Sequence, residues 1–176
     1  MKVVLRRVAA SVLVLLCVSL SLADVFAQAR PSSKTSDIAV GPLGYITNSA
    51  LTFQYEWKAA NLNSWMVRLH LLQAPNANYG IGFGLGGGYR FFLADSRALT
   101  GLSVAPAADI IFDHSSALVK SPASFWIGGD IAYKWIFDQI SVEPLFGARI
   151  GFGGNESIPT RTGLVPVIQV FVGYAW

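Results

Sequence analysis

The chain is short of charge, of cysteine and of any helical stripe. Asp, Glu, Lys and Arg make up 13% of its 176 residues, while 53% are hydrophobic, and the mean hydropathy is +0.48. That balance is too apolar for an ordinary soluble domain. Yet beyond residue 30 no run of about 18 uncharged apolar residues occurs, so no helical membrane span is offered. One cysteine, Cys17, and two histidines, His70 and His114, leave no cluster at metal-ligand spacing. No metal and no cofactor are expected. No segment has helical periodicity, and Gly82-x-Gly84-x-Gly86 is followed by no helix, which excludes a nucleotide-binding loop.

What the amino end does have is a leader. Lys2, Arg6 and Arg7 precede an apolar Val8–Ala23 run, and Ala27-Gln28-Ala29 is a small-x-small cleavage site. Residues 1–29 read as a cleaved signal peptide, with Arg30 as the mature start. A retained anchor helix is the rival reading; lipidation of Cys17 is disfavoured because Leu16 is not small. Cleavage removes the cysteine, which excludes disulfides. It also removes Lys2, Arg6, Arg7 and Asp24, taking 13 basic and 10 acidic residues to 10 and 9, a net charge of +1. The pI of 9.2 therefore belongs to the precursor, and no nucleic-acid partner is expected. Residues 30–36, Arg30 to Ser36, are polar and expected to be disordered in the periplasm.

From residue 37 to 176 the pattern alternates with period two. It predicts strands near 37–46, 50–58, 64–72, 78–93, 98–112, 124–137, 140–152 and 163–176. Gly41, Pro42 and Gly44 interrupt the first. One face is large and apolar throughout: Leu51-x-Phe53-x-Tyr55-x-Trp57, then Phe83-x-Leu85, then Ile127, Ile131, Phe146 and Ile150. The other alternates glycine and alanine with polar residues: Gln54, Glu56, Lys58, Arg68, His70, Arg90, Asp109, Asp130, Lys134, Glu143 and Arg149.

Volume decides which face is inside. All aromatics but Phe26 lie in the mature chain, and 17 of those 21 fall on the apolar face. An eight-stranded barrel has an interior just wide enough to be filled by side chains, and those rings would overfill it. A sandwich could bury them, but would leave water facing a glycine-rich surface poor in charge. The expected fold is therefore all-β: a closed antiparallel up-and-down transmembrane barrel of eight strands, rings outward. Lipid supplies no hydrogen bonds, so the first strand must meet the last.

An independent set of residues agrees. With a periplasmic amino end and alternating strands, Trp57, Trp65, Tyr89, Phe91, Trp135, Phe137, Tyr174 and Trp176 fall at one rim, as a membrane girdle. Tyr79, Phe112, Phe125 and Phe152 mark the other. Turns 59–63, 94–97 and 138–139 are short, and loops 113–123 and 153–162 are long, the asymmetry of outer-membrane barrels. Both termini are expected in the periplasm.

Pro42-Leu43-Gly44, Tyr55-Glu56-Trp57, Gly88-Tyr89-Arg90-Phe91-Phe92 and Tyr133-Lys134-Trp135 carry a family resemblance. The chain resembles the small eight-stranded bacterial outer-membrane barrels typified by OmpW and OmpX, and is nearer to uncharacterised small barrels of that kind. Its Tyr174-Ala175-Trp176 end resembles the terminal aromatic signal read by the barrel-assembly machinery. The resemblance implies an outer-membrane location. It implies either passage of small apolar molecules, as in OmpW-type proteins, or surface interaction, as in OmpX-type proteins.

The inward charges predict a polar network of Glu56, Arg68, His70, Arg90, Asp109, Asp130, Lys134, Glu143 and Arg149. A tight Asp138-Gln139 turn sets Phe137 opposite Ile140 and so Lys134 opposite Glu143. Pairing Trp57 with Trp65 sets Gln54 opposite Arg68, with Glu56 diagonal. The bore either conducts or is a salt-bridged plug, and the plug is preferred. Three functions follow: a non-enzymatic narrow conduit for small or hydrophobic solutes; a barrel displaying loops 113–123 and 153–162 to a host or environmental ligand; or a lipid-modifying enzyme using His114 and Ser116, for which Glu143 is at the wrong end.

Overall fold

A computed structural model describes residues 33–42, 50–72, 82–93, 99–112, 123–153 and 163–176. The alternating segments form eight strands: β1 (Ser36–Gly41), β2 (Ala50–Ala60), β3 (Asn63–Leu72), β4 (Gly82–Phe92), β5 (Gly101–Phe112), β6 (Ala123–Phe137), β7 (Ile140–Gly153) and β8 (Gly163–Ala175). Each pairs antiparallel with the next, and β1 closes the sheet against β8. The fold is a closed up-and-down barrel. No helix among the described residues is long and apolar enough to cross a membrane, which has no bearing on strands.

The seam is made by both chain ends. Asp37 to Val40 pair with Ala175 to Val172. Thr35 and Ser36 donate their backbone N–H groups to the Trp176 carbonyl at 2.8 and 3.1 Å. These two residues, read from sequence as part of a disordered tail, are thus tied into the barrel, and Ser36 opens β1. β1 is also shorter than the expected 37–46: it ends before Pro42, which has no N–H to give a ladder. Residues 43–49 lie outside the described set, as do Tyr79, His114, Ser116 and most of loops 113–123 and 153–162.

Register follows the turns. Asp138 takes a φ of 55°, a conformation Asp tolerates better than most, and Phe137 pairs with Ile140 across it. Trp57 pairs with Trp65 and Gln54 with Arg68. Followed from partner to partner, Ala39 leads through Gln54, Arg68, Gly86, Asp109, Trp126 and Gly151 to Gly163, whereas across the seam Ala39 pairs with Gly173, ten residues further on. This stagger tilts the strands, as barrel closure requires. It also decides which residues share a level in the bore.

Polarity is inverted relative to a soluble protein. Ile127, Ile131, Phe146 and Phe125 are each more than half exposed, while Glu56, Arg90, Lys134 and Glu143 are at most 1% exposed. On the outward face of the described strands there is no charged residue. The rings point out and the ions point in.

Candidate functional site

The candidate site is the bore, and its charged groups form two networks. The lower one lies toward the chain ends. Arg90 grips Glu143 with two nitrogens, at 2.7 and 2.6 Å, and donates to Glu56 at 3.0 Å. Lys134 contacts Asp37 at 2.7 Å and Glu143 at 2.9 Å, and also Glu56. Ser64 donates to Glu56, and Ser141 donates to Asp37 at 2.6 Å. Five ionic side chains from five strands are thus knotted: Asp37 from β1, Glu56 from β2, Arg90 from β4, Lys134 from β6 and Glu143 from β7.

The upper network is a chain. Gln54 accepts from Arg68 Nε at 2.9 Å, and Arg68 reaches Asp130 at 2.8 Å. Arg149 holds Asp130 at 2.7 Å and Asp109 at 2.9 Å. His70 Nε2 lies 3.2 Å from Asp109, His70 Nδ1 lies 3.1 Å from Thr52 Oγ1, and Gln169 donates to Thr52 at 3.0 Å. Arg68 on β3 and Asp130 on β6 are not neighbouring strands. These are struts across the bore, where a low dielectric makes paired charges strong and unpaired ones costly.

An apolar collar lies between the networks. Met66 Sδ accepts from Arg68 at 3.3 Å and from Arg90 at 3.6 Å. The Phe171 ring sits under the Arg68 guanidinium, 5.8 Å from its centroid, and clusters with Ala39, Ala132 and Leu145. The small residues on the inner wall make this filling fit. A Cβ on Gly86 would strike Asp109 and His70; one on Gly147 would strike Asp130; one on Gly88 would strike the Met66 methyl. Glycine is the space into which the ions fold.

Of the polar residues expected to face inward, all but Lys58 enter one of these networks: Glu56, Arg90, Lys134 and Glu143 the lower, Gln54, Arg68, His70, Asp109, Asp130 and Arg149 the upper. The Lys134–Glu143 pair is present at 2.9 Å. Glu56 is diagonal to Arg68 in the register, as expected, and its hydrogen bonds go to Arg90, Lys134 and Ser64. Lys58, placed inside, is exposed at the mouth beside an irregularity between Lys58 and Ala60. Sequence reasoning missed Asp37, Thr52, Met66 and Gln169. Asp37 had the right parity, two residues before inward-facing Ala39, but sat on the strand read least securely.

Thr52, His70 and Asp109 resemble a nucleophile–base–orienter relay in their spacing. Thr52 is completely buried, and its oxygen already accepts from Gln169. The relay therefore reads as a strut. Among the described residues no group of three or more His, Cys, Asp or Glu could hold a metal ion.

Outside, the rings cluster near one mouth. Trp65 meets Tyr89 edge-on at 4.6 Å, Tyr89 meets Phe91 at 5.0 Å, and Tyr133 meets Trp135 at 4.6 Å. Trp57, Tyr55, Trp176 and Tyr174 form a stack across the seam, with centroids 5.5, 6.2 and 6.1 Å apart. Phe137 pairs with Ile140 at the same end. Phe83 and Phe112 stack at 5.0 Å at the far end.

The fold and its inverted polarity define the class: a closed eight-stranded antiparallel barrel with an apolar outer face, an architecture compatible with the outer membrane. Compared with known protein families, curated proteins and solved structures, the chain matches none. No match supports the resemblance to OmpW and OmpX; what the structure shows is the eight-stranded closed barrel.

Proposed function

We propose that this protein is an integral outer-membrane barrel, non-enzymatic, whose plugged bore makes it a rigid platform for its outer loops. The carrying observation is the inversion: large apolar side chains outside, and within them charged groups that, apart from the half-buried His70 and Asp109, are at a few per cent exposure or less. A surface of that kind is stable in lipid, where strand edges must be paired and outward charges are costly. The aromatic cluster near the chain ends serves as the periplasmic girdle, with both termini in the periplasm. Trp176 is the residue offered to the barrel-assembly machinery.

Packing favours display over conduction. Arg90, Lys134 and three carboxylates fill the lower bore with at most 1% exposure, and a wide water pore requires more strands. Loops 113–123 and 153–162 are then the working parts, presented to a host or environmental ligand. The test has two arms. Cell fractionation should recover the protein with outer-membrane markers; recovery in the soluble periplasm would refute the membrane reading. Reconstituted vesicles should show solute flux no greater than protein-free vesicles; clear flux would replace the platform with the narrow conduit.

A further inference from the structure

Leu99 is the most unusual residue in the backbone. Its φ is 75°, in the left-handed region that glycine favours and that costs a bulky residue strain. Gly101, two residues on, has a φ of 93°, where the same conformation is free. A leucine held in that state must be compensated by something its side chain does. It is 0% exposed and packs against Ile136 and Ala175.

The register shows what that cluster covers. Gly101 pairs with Lys134, and Ile136 is the next inward residue beyond Lys134. Ala175 pairs with Asp37. The Leu99–Ile136–Ala175 cluster is therefore the layer next to the Lys134–Asp37–Glu56 knot on its outlet side. Ile136 and Ala175 are strand residues locked in ladders; Leu99 lies outside the strands, in the β4–β5 connection. Lys134 and Asp37 are near an open end of the barrel, yet each is at most 1% exposed.

We propose that Leu99 is a hydrophobic seal at the mouth formed by the chain ends, and that withdrawing this one side chain admits water to the lower ion knot. The strained turn makes it a device with two positions. Inserted, apolar burial offsets the backbone cost; withdrawn, the turn relaxes while the knot gains water and its cross-bore pairs weaken. The seal goes beyond the platform role and operates in detergent as well as in lipid, so its failure leaves that role untouched.

Thiol accessibility tests it. In the full chain with Cys17→Ser, Ser103→Cys reports on the lower bore: Ser103 is 1% exposed and lies between Gly101 and the collar. Ser124→Cys, equally buried near the far end of β6, is the control. A cationic methanethiosulfonate reagent is applied to the folded protein. Leu99→Ala should speed labelling at position 103 about tenfold or more, while Leu99→Met keeps it within about twofold. Labelling at 124 should not change. Leu99→Gly relieves the strain and still removes the seal, so it should fold well and label fast at 103. Heat-modifiable electrophoretic mobility shows whether each variant is a closed barrel. Equal acceleration at 103 and 124, or none at 103 in a folded Leu99→Gly variant, would overturn the proposal.

Discussion

The two ion networks use the same side-chain chemistry and differ in how it is wired. In the lower knot each cation touches more than one carboxylate, and Glu56 and Glu143 each touch both cations. In the upper chain the links run in line from Gln54 to Arg68, Asp130, Arg149, Asp109, His70, Thr52 and Gln169. A knot fails as a whole when its central member goes, because several buried charges lose their partner together. A chain loses one link. Connectivity, more than the count of ion pairs, should set what each residue contributes.

The largest effect should follow Arg90→Met. Glu56 and Glu143 would share Lys134 alone, with Asp37 also on it, in a water-free space. Leaving buried charge uncompensated costs on the order of 3–5 kcal/mol. Arg149→Met should cost less, about 1–3 kcal/mol, because Asp130 keeps Arg68 and Asp109 keeps His70. Urea unfolding of the folded protein in detergent, read by tryptophan fluorescence, gives both numbers. Equal losses would break the distinction between knot and chain.

The wall offers the next comparison. Gly86→Ala places a methyl group against Asp109 and His70, and overpacking of this kind costs about 1–3 kcal/mol. Gly129→Ala points outward, where the nearest atom is the Ala105 carbonyl oxygen at 3.6 Å. That change should be neutral or stabilising by up to about 1 kcal/mol, through the unfolded chain. If both alanines cost the same, the inner glycines are not a mould for the ions, and their smallness has some other cause.

How far these features could be read beforehand depends on their range. The alternation of Phe53, Tyr55 and Trp57 with Thr52, Gln54 and Glu56 is local, and it located β2 and its inward face. The Lys134–Glu143 pair was also legible, because a two-residue turn counts back to it without knowledge of the rest. Arg68–Asp130 and Arg90–Glu56 were not. They join strands that are not neighbours, Arg90 to Glu56 past β3 and Arg68 to Asp130 across the bore, so they depend on several registers at once. A single hairpin carries no information about that sum. Leu99 was hidden for a different reason: a leucine in a left-handed turn contradicts its own preference, and nothing in the surrounding residues marks it. Asp37 was lost to the glycines and proline that follow it, which obscured the strand it opens.

The smallest loss in the upper chain belongs to an uncharged link, and it sharpens the comparison most. His70→Gln keeps a side-chain amide able to donate to Asp109 and to accept from Thr52, so it should cost no more than about 1 kcal/mol. Asp109→Asn should cost more, because Asp109 accepts from both His70 and Arg149 and its charge balances the guanidinium. The order Asp109→Asn above His70→Gln is what this wiring requires, since asparagine removes the charge that faces Arg149 while glutamine can keep both of the bonds that His70 makes. Measured by the shift in urea midpoint at constant slope, the reverse order would mean that His70 anchors the upper bore and that the chain is organised around it.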